Sequence, residues 1–173
     1  RCDIVMARPK IYPYNLYTDY CKCHIESDLL TARQVIAEKY PAYLPDFDRV
    51  FFRNNRLSHF NMFVLPRERF EAYSAWLFDI LFGVGGGVGG QGERRLEIQA
   101  DPVQGRVMGY LSERLLSVWV RHNRLKICYK TVLMVNDQKR KGLGKHLFHT
   151  TVNTLAYWIT YPLRRRSPRR AAE

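Results

Sequence analysis

Apolar residues along this chain fall into short runs and into longer stripes at helical spacing, and the two patterns alternate. A short apolar run between turn residues is typical of a buried strand, whereas apolar positions three and four residues apart are typical of an amphipathic helix. The pattern predicts strands over residues 2–7, 61–65 and 125–135, and helices over residues 27–40, 67–82 and 106–120. The alternation of strands and helices indicates an α/β fold with a mostly parallel sheet.

The remaining segments show no clear period and are predicted as loops. Residues 12–20 are aromatic and contain a proline, and residues 41–53 are irregular. Residues 83–92 hold seven of the eleven glycines, so this stretch has too little apolar surface to offset the entropy lost on ordering it. Ser27 and Asp28 precede the first helical stripe and are predicted to cap that helix.

The composition is that of a globular protein. Of the 173 residues, 46% are hydrophobic and 13% are aromatic, which is enough apolar material for a core and excludes wholesale disorder. No apolar run approaches the roughly 18 residues of a conventional membrane span. The four cysteines do not form a disulfide framework, and we expect reduced thiols in a cytoplasmic protein.

The predicted sheet is thin for a free-standing domain, because only three strands are found. The chain also begins at Arg1 without a signal segment, so we expect the sheet to continue N-terminally and the chain to be part of a longer protein. Residues 1–135 are predicted to form one globular part, and residues 136–173 to form a basic amphipathic tail.

Most of the net charge of +12 lies in the tail. Residues 138–173 contain nine Lys and Arg residues and a single acid, Glu173. An apolar helix followed by an arginine cluster favours peripheral contact with an anionic membrane, and the alternative is a helix docked on the body with a solvated basic end. The arginines are not interleaved with aromatic residues, so no specific binding of nucleic acid is predicted.

A short glycine motif in the tail offers a second hypothesis. Gly142 and Gly144 lie among basic residues between a predicted strand and a predicted helix, where backbone N–H groups can bind phosphate. The motif resembles the pyrophosphate loop of acetyl-CoA-dependent N-acetyltransferases. An acyl-CoA-binding protein of that kind is therefore one alternative function, and a non-enzymatic basic module at a membrane surface is another.

A longer resemblance rests on five separated blocks that recur in a fixed order. They are found at residues 24–29, 38–43, 61–78, 106–115 and 118–119, and include Asn61-Met62-Phe63-Val64-Leu65-Pro66 and Gly109-Tyr110-Leu111-Ser112-Glu113-Arg114-Leu115. In these blocks the chain resembles a bacterial family of capsular or exopolysaccharide biosynthesis glycosyltransferases, long catalogued as a domain of unknown function. The resemblance covers about residues 2–135.

The resemblance implies a Rossmann-like, GT-A-type fold and a transferase that uses a nucleotide sugar, with a UDP-sugar as the expected donor. It implies a hexose, galactofuranose being one candidate, and a lipid-linked or polysaccharide acceptor at the inner face of the membrane. Members of the family also have an N-terminal half with the first nucleotide-binding strand and a His-Tyr-Arg-Arg-Tyr-Phe block. Neither is found in residues 1–173, so the resemblance implies that these residues correspond to the C-terminal part of the domain.

Glu113 is the candidate catalytic residue. Glycosyl transfer with inversion needs a base for the acceptor hydroxyl and a positive charge near the departing diphosphate. Glu113 lies on an amphipathic helix and could project toward the crevice at the end of the sheet, where open α/β sheets bind ligands. Arg114 could neutralise phosphate. The alternatives are an ordinary surface carboxylate and a solvated arginine.

Four further residues are candidates for substrate binding. Asn61 resembles the position at which related transferases place an Asn against the sugar, and His59 lies beside it. His24 and Asp28 are one helical turn apart and could orient each other. Turn, packing and capping roles are the alternatives for these residues. No metal ligands are predicted, and Asp46 and Asp48 are not expected to be ligands; dependence on a divalent metal is left open.

Overall fold

The computed structural model describes residues 2–86, 106–132 and 143–160. The strands in these ranges are β1 (Ile4–Ala7), β2 (Lys10–Ile11), β3 (Arg56–Leu57), β4 (Phe63–Val64) and β5 (Ile127–Lys130). The α-helices are α1 (Leu16–Cys23), α2 (Glu26–Lys39), α3 (Leu44–Arg53), α4 (Arg67–Gly86), α5 (Val107–His122) and α6 (Leu143–Thr160), and a 3-10 turn covers Pro41–Tyr43. The fold is mixed α/β.

The main sheet has the order β4-β1-β5. β5 is parallel to β1, but β4 is antiparallel to it, so the prediction of a mostly parallel sheet is wrong for one of the two pairings. The reason lies just before β4, where the Ser58 hydroxyl donates a hydrogen bond to the carbonyl oxygen of Ala7 at 2.8 Å. The chain is thereby held at the carboxyl end of β1, and β4 must run back from that end.

Two helices lie where the sequence pattern predicted loops. Asn15 caps the N-terminus of α1, and its side-chain oxygen accepts a hydrogen bond from the backbone N–H of Thr18 at 2.8 Å. Helix α3 begins with proline in its first turn and buries Phe47, Val50 and Phe51. A capping side chain in α1 and three apolar residues at helical spacing in α3 are enough to form these helices once their apolar sides are covered by the rest of the fold.

The predicted cap of α2 is wrong. The helix begins at Glu26, and Ile25 occupies the capping position without a side-chain hydrogen bond. Asp28 therefore lies inside the first turn of α2, where its side chain is buried. Because this turn packs toward α1 and α5, a carboxylate there faces the interior rather than the solvent.

The core forms where helices α2, α4 and α5 pack together and against the sheet. Its fully buried side chains include Leu29, Ile36, Ile80, Leu111, Leu115 and Leu116. Helices α2 and α4 approach closely at Gly83, where an added Cβ atom would lie 2.8 Å from Cγ1 of Val35. The glycine stretch predicted as a loop thus begins inside α4, and its residues 87–92 lie outside the described ranges.

The tail contains a helix, α6, which contacts β2. Asn153 donates a hydrogen bond from Nδ2 to the carbonyl oxygen of Ile11 at 2.9 Å, and the Tyr157 side chain is buried. This arrangement agrees with the expectation of a helix docked on the body. None of the helices in the described ranges is long and apolar enough to cross a bilayer.

Candidate functional site

The candidate residues come together beyond the carboxyl end of β1. The segment before β4 lies at this end because Ser58 is bound to Ala7, and that segment carries His59 and Asn61. Helix α5 precedes β5, which is parallel to β1, so α5 runs back along the sheet and its N-terminal half lies toward the same end. Two polar segments far apart in sequence therefore meet in the crevice where α/β sheets bind ligands.

Glu113 is the centre of this cluster. Its Oε1 atom accepts a hydrogen bond from the backbone N–H of Phe60, and its Oε2 atom lies 3.5 Å from Nδ1 of His59 and 3.9 Å from Nη1 of Arg114. Burial raises the pKa of Glu113, but His59, the Phe60 N–H and the Arg114 charge together outweigh burial and leave the pKa below its ordinary value. Glu113 is an ionised carboxylate at neutral pH.

His59 connects Glu113 to a phenol. Its Nε2 atom lies 2.7 Å from the hydroxyl oxygen of Tyr12, while its Nδ1 atom faces the carboxylate. Burial is the main cause of a raised pKa for Tyr12, so the phenol stays protonated. The imidazole is held between an anionic acceptor and a neutral hydroxyl, which fixes the orientation of the ring.

Arg114 does not face the solvent. Its Nη2 atom donates to Oδ2 of Asp19 at 2.9 Å, and the two side chains are only 4% and 8% exposed. Nη1 donates to the carbonyl oxygen of Tyr110, and the guanidinium carbon lies 5.1 Å from the centre of the Tyr20 ring. The solvated alternative for Arg114 is wrong, and its charge is already compensated by a buried partner.

Asn61 binds the same helix that carries Glu113. Its Nδ2 atom donates to the Ser112 hydroxyl at 2.8 Å, and that hydroxyl donates to the carbonyl oxygen of Gly109. Phe60 and Asn61 both have positive φ angles, 78° and 48°. Such angles are unfavourable for a side chain as large as that of Phe60, and they aim the Phe60 N–H at Glu113.

His24 and Asp28 lie at the opposite side of this cluster and belong to different helices. His24 is the C-terminal cap of α1, and its ring stacks on Tyr110 with 4.0 Å between ring centres. Burial is the main cause of its lowered pKa, with a contribution from the Arg114 charge. Burial, with a contribution from the buried Asp28 carboxylate, raises the pKa of Tyr20, whose ring lies 4.9 Å from that of His24. The pair is therefore brought together around Tyr20 and not by one helical turn.

Three members of the cluster, namely Tyr12, Asp19 and Ser112, were not predicted as site residues. Tyr12 and Asp19 lie in the segment predicted as a loop, and Ser112 lies in a predicted helix. Of the three, Asp19 had the strongest signal in the sequence. It is the only acid among residues 15–23, a stretch with several apolar and aromatic residues that begins at the capping residue Asn15. Its distant partner could not be predicted without the fold.

Comparison with known proteins decides the family. The model of the family described as a domain of unknown function, DUF4422, matches residues 1–124 of this chain. The chain belongs to the DUF4422 family. The resemblance to a family catalogued as a domain of unknown function is thereby confirmed. No curated protein matches the sequence significantly.

The DUF4422 chain is also similar in structure to a solved protein, the WbbM bifunctional glycosyltransferase in its apo form. The TM-score is 0.62 and the sequence identity is 22%, and the match covers 74% of this chain. At this identity the similarity shows a shared fold. The match covers 23% of the WbbM chain, so this DUF4422 chain corresponds to about a quarter of that protein.

Asp46 and Asp48 are bound to basic side chains of the DUF4422 chain. Asp46 contacts Arg121 and His122, and Asp48 forms a two-point ion pair with Arg33. Across the described ranges, no three His, Cys, Asp or Glu side chains are grouped so that they could hold a metal ion. Asp46 and Asp48 lie on helix α3 and not in the irregular loop that was predicted.

A basic cleft borders the cluster. Its volume is about 900 Å³, and Ser58, the neighbour of His59, is one of its lining residues. The arginines that line it are Arg49, Arg53, Arg56, Arg121 and Arg124. Asp46 is the only carboxylate among the lining residues, and it already forms an ion pair with Arg121. The cleft of the DUF4422 chain therefore carries a large excess of positive charge and suits an anionic group.

Proposed function

We propose that this DUF4422 chain is part of a glycosyltransferase that moves a hexose from a nucleotide sugar to a polysaccharide acceptor. The proposal includes a GT-A-type, Rossmann-like domain of which residues 1–135 are the C-terminal part. It also includes a UDP-sugar as the donor, with galactofuranose as one candidate sugar, and a lipid-linked or polysaccharide acceptor of the capsular or exopolysaccharide type.

One observation carries the proposal. An ionised carboxylate, Glu113, is held at the carboxyl end of a parallel strand pair, on a fold shared with a glycosyltransferase. The crevice at this end is where open α/β sheets bind ligands. A carboxylate fixed there by a backbone N–H and by an imidazole is suited to accept a proton from an acceptor hydroxyl.

The neighbouring side chains complete this chemistry. The Nδ1 atom of His59 lies 3.5 Å from the Glu113 carboxylate, so the imidazole can stabilise the negative charge before transfer. This contact can then change as the carboxylate gains a proton. Tyr12 holds the other side of the imidazole. Asn61, beside them, presents an amide oxygen that can accept a hydrogen bond from a sugar hydroxyl while Nδ2 stays bound to Ser112.

In this proposal, the arginines of the basic cleft bind the departing diphosphate. Arg114 is committed to Asp19 and buried, so it cannot move to a phosphate without breaking a buried ion pair. Arg53 and Arg56 are exposed, line the cleft, and form no ion pair with any carboxylate of the described part of the chain. Arginine binds phosphate oxygens at two points, which positions as well as neutralises them.

The experiment combines donor binding with transfer. Thermal unfolding is followed with UDP, UDP-galactose and UDP-galactofuranose, because a ligand that binds only the folded state raises the Tm. Transfer to an oligosaccharide acceptor is then measured for the wild type, for Glu113→Gln, and for Glu71→Gln as the matched control on the exposed side of α4. We expect a Tm rise with the UDP ligands in all three proteins.

We expect Glu113→Gln alone to lower transfer, by a factor of about 100 or more, as for loss of a general base. A Tm that no UDP ligand raises would contradict the proposed donor. Transfer by Glu113→Gln at the wild-type rate would remove Glu113 from the catalytic role. Either result would leave the family assignment intact, because that rests on the match over residues 1–124.

The same thermal experiment separates the acetyltransferase alternative. Gly142 lies outside the described residues and Gly144 lies in the first turn of α6, so the loop itself is not seen. That family requires several antiparallel strands upstream of its loop, whereas the main sheet has a single antiparallel pair among the described residues. Coenzyme A should therefore leave the Tm unchanged, and a rise with coenzyme A instead of UDP would favour the alternative.

A further inference from the structure

Helix α6 exposes an unusually large apolar surface. Six of its side chains are large, hydrophobic and between 43% and 70% exposed. They are Leu147, Phe148, Val152, Leu155, Trp158 and Ile159. At about 100° per residue these positions fall within about 140° of the helix circumference, so they form one continuous surface, here called the apolar stripe.

The stripe is not the side by which α6 docks on the body. Asn153 and Tyr157 make that contact, and they lie on the side of the helix roughly opposite to the stripe. A surface helix of a globular protein normally turns its apolar side inward and its polar side outward. Helix α6 departs from this rule, since its docking side holds a polar hydrogen bond and the buried Tyr157, whereas the six large hydrophobic residues face out.

We propose that the apolar stripe of α6 lies in the interface of an anionic lipid bilayer. The charge of the neighbouring sequence supports this occupant. Five arginines, Arg164, Arg165, Arg166, Arg169 and Arg170, follow α6 within ten residues, and Glu173 is the only acid in that part of the chain. Each basic residue close to an anionic bilayer surface adds to the attraction.

The composition of the helix itself supports the same occupant. Among residues 147–159 there is no Asp, Glu, Lys or Arg, so no charge must be removed from water when the stripe enters the headgroup region. Trp158 lies in the last turn, and Trp is favoured at the boundary between headgroups and acyl chains. The helix would lie in the plane of the membrane with its docking side toward the rest of the protein.

This inference does not depend on the proposed catalytic site. It rests on the exposure of the stripe, on the polar docking contact and on the adjacent arginines, whereas the transferase proposal rests on Glu113. A second copy of this chain is the competing occupant of an exposed apolar surface. The experiment is therefore designed so that vesicle binding and self-association are measured on the same samples.

Binding is measured by co-sedimentation with vesicles of phosphatidylcholine alone and of phosphatidylcholine with phosphatidylglycerol. Tryptophan fluorescence gives a second readout, because Trp76 and Trp119 are buried at 5% and 4% exposure while Trp158 is 66% exposed. Insertion of the stripe should shift the emission to shorter wavelength through Trp158. Light scattering on the vesicle-free protein reports its oligomeric state.

The decisive variant is Leu155→Glu, and its matched control is His149→Glu. Both place a negative charge at an exposed position of α6, but only Leu155 belongs to the stripe. We expect strong binding to the anionic vesicles and weak binding to the neutral ones, because both the apolar surface and the charge contribute. Leu155→Glu should weaken that binding by a factor of about ten or more, as for a carboxylate placed at an apolar interface, with His149→Glu changing it only slightly.

Three outcomes would overturn the proposal. The first is no binding to anionic vesicles by the wild type. The second is an equal reduction of vesicle binding by Leu155→Glu and His149→Glu, since the apolar stripe would then contribute no more to binding than the rest of α6. The third is a wild-type dimer that Leu155→Glu dissociates and that does not bind vesicles. Because Leu155 is 58% exposed, its replacement should leave the Tm unchanged, and Trp158→Ser provides a second stripe variant with no added charge.

Discussion

The backbone N–H of Phe60 donates a hydrogen bond to the carboxylate of Glu113, although 53 positions separate the two residues in the chain. The contact joins the segment before β4 to the middle of α5. It requires a positive φ angle of 78° at Phe60, a conformation that a large side chain rarely adopts. The fold thus keeps an unfavourable backbone angle at the point where it fixes the candidate catalytic carboxylate.

The buried pair between Asp19 and Arg114 should be important for stability. Asp19→Asn leaves the guanidinium of Arg114 charged and without its partner in the interior. We expect a loss of about 3–5 kcal/mol in the free energy of unfolding, measured by urea denaturation. Asp48→Asn is the control, because its pair with Arg33 is 30% and 38% exposed. It should cost less than about 1 kcal/mol, and equal losses would contradict the prediction.

His24 should make the protein less stable in mild acid. Burial lowers the pKa of His24 in the folded state below 6.5, with Arg114 acting in the same direction and Asp19 and Glu113 opposing it. Below 6.5 the unfolded chain then binds more protons than the folded one. The contribution of His24 to the free energy of unfolding is therefore fully present above pH 6.5. It is lost as the pH falls toward the folded-state pKa.

The variant that tests this is His24→Phe, which keeps a ring stacked on Tyr110 and removes the titration. The free energy of unfolding, measured from pH 7.5 to pH 5 in about half-unit steps, should decline less steeply for the variant than for the wild type. His122→Phe is a control, because it removes a histidine whose ring contacts Asp46 outside the cluster. Identical slopes for His24→Phe and the wild type would contradict the predicted role of His24.

Two glycines in helices should respond oppositely to alanine. At Gly83 the new Cβ atom would lie 2.8 Å from Val35 Cγ1 in the packed α2–α4 interface, and we expect a loss of about 1–3 kcal/mol. At Gly109 nothing lies within 4 Å of the new atom, so the better helix propensity should stabilise the protein by about 0.5–1 kcal/mol. Urea denaturation measures both changes.

A double variant checks the cause at Gly83. Shortening Val35 to Ala removes the atom that the new Cβ atom meets, so Val35→Ala should lessen the effect of Gly83→Ala. The two changes should then be clearly non-additive, by at least about 0.5 kcal/mol. Additive losses would show that the close approach of α2 and α4 is not the reason.

Tyr12 should act on transfer by positioning His59. Tyr12→Phe removes the hydroxyl that lies 2.7 Å from Nε2 of His59 and keeps the ring in its packed position. The lost hydrogen bond corresponds to about 1–1.5 kcal/mol, or a fall in kcat of about tenfold, with KM for the donor unchanged. Tyr40→Phe is the control, since its hydroxyl binds Asp79 outside the cluster. A Tyr12→Phe enzyme with the wild-type kcat and pH profile would contradict this role.

The basic cleft should affect donor binding more than the chemical step. The double change Arg53→Gln with Arg56→Gln removes two cleft charges. If they receive the diphosphate, KM for the UDP-sugar should rise by about tenfold or more, since charge-assisted contacts are the strong ones. Arg67→Gln removes one charge at a site 90% exposed and outside the cleft, and it should leave KM unchanged. An equal rise in both variants would indicate a general effect of net charge.

Local sequence pattern was enough to predict the long elements, and the family resemblance pointed to several members of the candidate site. The apolar stripes of α2, α4 and α5 and the run of β1 are strong signals, because each buries a repeated set of side chains. Short α1 and α3 escaped prediction, since each depends on tertiary packing more than on its own period. The direction of β4 escaped as well, because it follows from a contact between Ser58 and Ala7.

The sequence by itself determined the family, through a match over residues 1–124, and it identified candidate site residues, among them His59, Asn61, Glu113 and Arg114. Only the tertiary structure decided which partners each of them contacts and how deeply each is buried. It buried Arg114 against Asp19, placed His59 between Glu113 and Tyr12, and turned the apolar stripe of α6 outward. The physical reason is that burial and partner choice depend on contacts between distant segments, which no local period encodes.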